Sequence, residues 1–161
     1  MKLRPTAFAL CALLASGAAS AQQPPGAAPP PSPAPPPAAE AHIEVLVLEA
    51  TTGPGGIAPA LASLPQLRQP PFSAYPQITL VSRTTLPLAG APASAPLPNN
   101  ATAGVVLARR TPEGRYAVGV TFTQGGHASR IEFLAAAGEP FFTVRSSRPE
   151  RALIVGFIVR P

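Results

Sequence analysis

The chain has 161 residues, with twelve basic against seven acidic side chains, 24 Pro, 13 Gly, one Cys, one Met and no Trp. It has no Asp and a single Lys, Lys2, so Schiff-base, P-loop and aspartate-centred chemistries lack their central residue. The length suits one compact domain, and a charged content of 12% beside so much Pro means that an apolar core and a structureless tract share the chain.

Met1 to Ala21 begins with Lys2 and Arg4, continues through an apolar run from Thr6 to Ala15, and ends in Ala19-Ser20-Ala21. That order is expected of a signal peptide cut after Ala21. The run is shorter than the roughly 20 apolar residues that span a bilayer as helix, and no other stretch is long enough. Cys11 follows Leu10 inside the apolar run, which argues against lipidation. Cleavage removes Lys2, Arg4 and Cys11, leaving ten Arg against seven Glu, a net charge of +3, and no thiol for disulfides or metal. The expected destination is the periplasm or the extracellular space.

Gln22 to Ala41, QQPPGAAPPPSPAPPPAAEA, has nine Pro and no large apolar residue. It has nothing to bury, so a disordered linker with polyproline II character is expected. A domain from His42 to Pro161 follows. Ile43 to Glu49 is β-branched and apolar on both faces, which predicts a covered strand. Pro59 to Pro65 predicts one short helix with Leu61 and Leu64 on a shared face. Gln77 to Leu86 returns to strand character, and Gly90 to Asn100 reads as a loop.

Arg115 to Thr123 alternates strictly, with Tyr116, Val118, Val120 and Phe122 on one face, and pairs as a hairpin with Val105 to Arg110 through Thr111-Pro112-Glu113-Gly114. A meander is then expected through Ser129 to Leu134, Phe141 to Arg145 and Ala152 to Val159, the last lying centrally because it is apolar throughout. About seven strands and one short helix predict an all-β, antiparallel β-sandwich. Its expected core is Val45, Val47, Leu80, Val105, Leu107, Val118, Val120, Phe122, Ile131, Phe133, Phe142, Ile154, Val155 and Phe157.

The opening VLVLEA strand, the short Leu-containing helix, Pro71-Phe72-Ser73-Ala74-Tyr75, the Leu97-Pro98-Asn99 turn, Gly138-Glu139-Pro140-Phe141-Phe142 and the terminal LIVGFIV strand carry a resemblance. In that order they resemble an uncharacterised family of small exported bacterial β-rich proteins. Asn100 stands where that pattern would place Gly, a substitution a left-handed turn tolerates. The resemblance implies the fold and no activity.

Catalytic chemistry has few parts. Without Asp, a nucleophilic triad would have to be Ser-His-Glu, and no Gly-x-Ser-x-Gly elbow occurs. His42 and His127 have no ligand spacing, and Gly55-Gly56 and Gly125-Gly126 lack a phosphate-loop Lys, so neither a metal nor another cofactor is expected. If the meander alternates direction, His127, Arg130, Arg145, Arg148 and Arg151 gather at one rim. Their guanidinium groups suit carboxylates or phosphates, while Glu132 and Glu150 are placed to neutralise some of them. A second cluster, Arg109, Arg110 and Arg115, includes Glu113.

Nucleic acid is not an expected partner for an exported domain of this modest charge. The expected role is a non-enzymatic binding or assembly module at the cell envelope, its partner an acidic envelope polymer or another envelope protein. The alternatives are a small hydrolase or lyase using His127 with a Glu, and a subunit assembling through a strand edge. Mass spectrometry of the protein recovered after export checks the first step: the N-terminus is expected at Gln22, and a chain still starting at Met1 would contradict processing.

Overall fold

The computed structural model describes residues 41–161; the segment expected as a signal peptide, and the expected linker except for Ala41, lie outside the described residues. Eight strands form two four-stranded antiparallel sheets. They are β1 (Ala41–Thr51), β2 (Gln77–Leu88), β3 (Ala93–Leu97), β4 (Ala101–Arg110), β5 (Tyr116–Gln124), β6 (His127–Ala135), β7 (Pro140–Arg148) and β8 (Arg151–Arg160). The first sheet has the order β2-β1-β8-β7, the second β3-β4-β5-β6. The chain thus starts in one sheet, runs a four-strand meander in the other, and returns to insert β8 beside β1.

The sandwich expected from the sequence is the observed architecture, with three differences. The stretch read as a loop holds β3, a short edge strand; Pro96 hides it in the sequence, yet Pro is tolerated where an N–H has no ladder partner to serve. The expected meander breaks between β6 and β7, which belong to different sheets. The expected helix is a series of single 3-10 turns at Pro59–Leu61, Pro65–Arg68 and Phe72–Ala74, because the recurring Pro residues interrupt any longer helical ladder.

Those turns explain why β1 and β8 are apolar on both faces. Ile43, Val45 and Val47 of β1 and Val155, Phe157 and Val159 of β8 face the second sheet, against Val105, Val118, Val120 and Phe122. Leu46, Leu48, Ala152, Ile154 and Ile158 face the other way, and residues 57–75 fold over them with Leu61, Leu64 and Leu67. The domain therefore has two apolar layers on either side of one sheet. Of the expected core residues, Leu80, Phe142 and Ile154 belong to this outer layer, and the rest to the layer between the sheets. Burial of one such side chain contributes roughly 1.5 to 3 kcal/mol, and Gln66 Oε1, in the overlying turns, is the buried side-chain atom left without a partner among the described residues.

The edge strands of this sheet also contribute to both layers, β7 by simple alternation, with Phe141 in the inner layer and Phe142 in the outer, and β2 through a register break. In β2 the pairing with β1 shifts between Val47 and Leu48, leaving Val81 without a partner. Ile78 and Leu80 on one side of the break join the outer layer, whereas Leu86 and Leu88 on the other side join the inner one. In β7 the pairing with β8 shifts between Val144 and Ser146, leaving Arg145 unpaired. A bulge of this kind bends the strand and turns two successive side chains toward one face.

Gly156 shows how tightly the outer layer closes. It lies opposite Phe142 in the β7–β8 ladder, and a Cβ there would approach the Phe142 ring to 2.6 Å. The ring lies across the glycine and meets Phe72 edge-on at 5.5 Å, fastening the overlying turns to the sheet. Gly156→Ala is expected to destabilise the fold by about 1–3 kcal/mol through overpacking, as read by chemical denaturation. In a Phe142→Ala background that cost should largely vanish, and additive effects in the double-mutant cycle would contradict the contact.

Candidate functional site

One end of the sandwich is built by three short turns. Between β3 and β4, Asn99 and Asn100 take φ values of 60° and 55°, and between β5 and β6, Gly125 and Gly126 take 55° and 81°. Two consecutive left-handed residues make the tight hairpin turn whose twist matches its strands, and Asn and Gly reach that conformation at least cost. The third turn, Pro149-Glu150, joins β7 to β8 and is tied to the end of β1 by the Thr52 N–H donating to the Glu150 carbonyl at 3.2 Å.

A cleft opens between the sheets at this end, in two limbs of about 370 and 230 Å³. Both limbs are lined by Pro98, Asn99, Ser146, Arg148 and Leu153. Glu49, Val81 and Arg151 are among the other residues of one limb, and Phe122, Gln124 and Arg145 among those of the other. The two unpartnered bulge residues, Val81 and Arg145, thus both reach the cleft, from opposite edges of the first sheet.

Arg145 is held from the second sheet. Its guanidinium lies 3.9 Å from the centre of the Phe122 ring, and Nη2 donates to the Ser129 Oγ at 3.2 Å. Stacking on an aromatic face together with a neutral hydroxyl acceptor fixes the group without cancelling its charge. Arg151 is paired instead, its Nε 2.8 Å from Glu49 Oε1. Arg148 forms no ion pair among the described residues. Three guanidinium groups against one carboxylate leave two positive charges uncompensated on the cleft.

Four of the five residues expected on the rim come to this end. Arg145, Arg148 and Arg151 line the cleft, and His127 lines an adjoining groove with Phe122, Gln124, Ser129 and Arg145. Arg130 is not with them. It lies on the outer face of β6, over Gly119, where Nη2 is 2.7 Å from Glu132 Oε1. Its neighbours Ile131 and Phe133 pack inward, so strand alternation alone sends Arg130 outward. The groove lined by His127 contains no Glu, and among the described residues no group of three or more His, Cys or acidic side chains converges to hold a metal.

Sequence reasoning misses the neutral half of the site. Phe122 was assignable only to the core, and Ser129, Ser146, Asn99 and Leu153 carry no signal of their own. The Arg109, Arg110 and Arg115 cluster lies at the opposite end, around the β4–β5 hairpin. Arg110 stands 5.3 Å from the Tyr116 ring centre. The Glu113 carboxyl is held below the usual carboxylate range, chiefly by a hydrogen bond from its own backbone N–H and another from the Thr111 hydroxyl, with Arg115 and Arg109 assisting. Comparison of the chain with known families, curated proteins and solved structures gives no match to any of them.

A depressed folded-state pKa stabilises the hairpin above the ordinary carboxylate pKa, and that contribution is lost as pH falls through the depressed value. An NMR titration should therefore find the Glu113 midpoint below that of an unstructured Glu, and Thr111→Val should move it upward. An unchanged midpoint in the variant would remove the hydroxyl as a cause.

Proposed function

We propose that the protein is exported and that its β-sandwich serves as a non-enzymatic binding module at the cell envelope, holding an anionic partner in the arginine-lined cleft. The observation that carries this reading is Arg145: a bulge turns it into the cleft, and Phe122 and Ser129 fix it there with its charge intact. Bulges commonly re-aim a side chain beside a functional site. Arg148 adds a second uncompensated cation on the same cleft, and a pair of guanidinium groups suits the planar acceptors of carboxylates and the oxygens of phosphates.

The export reading rests on the Lys2 and Arg4 start, the short apolar run and the Ala19-Ser20-Ala21 ending. The Pro-rich segment from Gln22 is then a spacer, which at about 3.1 Å per extended residue reaches on the order of 50 to 60 Å. An acidic envelope polymer or an acidic face of an envelope protein fits the cationic rim of the cleft.

Cosedimentation of the purified protein with isolated envelope fractions tests the reading. Binding should weaken as ionic strength rises, because exposed charge is screened over about 8–10 Å near physiological salt. Arg145→Gln with Arg148→Gln should abolish it, while Arg130→Gln, on the outer face, should leave it unchanged. Salt-insensitive binding, or equal loss in the Arg130 variant, would contradict the cleft as the site.

A further inference from the structure

The cleft is cationic at its rim and apolar at its floor. Leu153 is reached from both limbs, with Pro98 beside it, and Val81 extends the apolar surface on one side. Val81 is 50% exposed, an uncommon state for a large apolar side chain in this fold, where only Leu134 and Val144 match it among the described residues. The β2 bulge leaves it without a ladder partner on β1.

This division discriminates between anions. A hydrated polyanion would draw on the rim through screened attraction, and covering the floor would strip water from its charges with nothing to replace it. A ligand with a single carboxylate and an apolar body matches both parts. Glu49 already engages Arg151, which leaves the guanidinium groups of Arg145 and Arg148 as donors for the two oxygens of a carboxylate. The size argues for a short body. The apolar floor is one Leu, one Val and their small neighbours, enough to seat one side chain and too brief for a long acyl chain.

We infer that the cleft receives the C-terminus of a peptide whose last side chain is apolar. The carboxylate is taken by Arg148 and Arg145, the side chain rests on Leu153 and Val81, and Ser146 and Asn99 offer polar groups to the last peptide unit. This rests on the anion-binding reading of the same cleft and specifies its ligand class.

Calorimetric titration of the purified protein with N-acetyl-Ala-Ala-Leu separates the two. The free acid should bind at least about tenfold more tightly than its C-terminal amide, the loss expected when a charge-assisted hydrogen bond is removed. Arg148→Gln should produce a loss of similar size, and Val81→Ser a smaller one of about two- to fivefold, since part of a modest apolar contact is lost. Both positions are exposed or at a bulge, and an unchanged melting temperature establishes that the variants are folded.

Equal binding of acid and amide overturns the inference, as does octanoate binding as tightly as the peptide. Binding of polyglutamate but not the peptide, lost in Arg148→Gln, overturns the inference and leaves the anion-binding reading standing. Binding of neither overturns both.

Discussion

The fold depends on a sheet that is covered on both faces. β1 and β8 pair along almost their whole length, and their side chains alternate between the layer shared with the second sheet and the layer closed by residues 57–75. Without Cys in the described residues, burial of this kind has to supply what other small domains take from disulfides. The segment of 3-10 turns is therefore structural: it completes the apolar surroundings of Leu46, Leu48 and Ile154, which would otherwise face water.

Register breaks in the two edge strands shape the cleft. β2 carries Ile78 and Leu80 to the outer layer and Leu86 and Leu88 to the inner one by changing register once, and β7 changes register once beyond its Phe141–Phe142 pair. Each change frees one residue from the ladder, and those residues, Val81 and Arg145, line the two limbs of one cleft. The seam between β6 and β7 is closed beside it by the Phe133 and Phe141 rings, stacked with centroids 4.1 Å apart, and by the Arg145 bond to Ser129.

Much of the fold was legible because periodicity reports burial. Tyr116 to Phe122 alternates since β5 has one apolar and one open face, and ALIVGFIV does not alternate since β8 has none open. β3 escaped because its small residues and Pro96 carry no pattern, and the sheet change after β6 escaped because pairing partners are chosen by contacts distant in sequence. The arginines of the site were visible as charge. Their sides were visible only where alternation was applied residue by residue: it would have sent Arg130 outward with Glu132. The bulge at Arg145 has no local signature, because it is decided by the fit of β7 against β8, and so the roles of Phe122, Ser129 and Ser146 were not legible.

The direction of β1 has a mechanical consequence. Ala41 and Arg160 lie together at the end of the sandwich away from the cleft, and β8 begins at Arg151, beside it. A pull applied at Ala41 and resisted by a partner held at the cleft would load β1 and β8 from opposite ends. In that geometry the rungs of the ladder share the load in shear, where a pull on both strands from one end would open them in turn. Under the proposed binding role, tension between Ala41 and the cleft would fall on the β1–β8 ladder as shear.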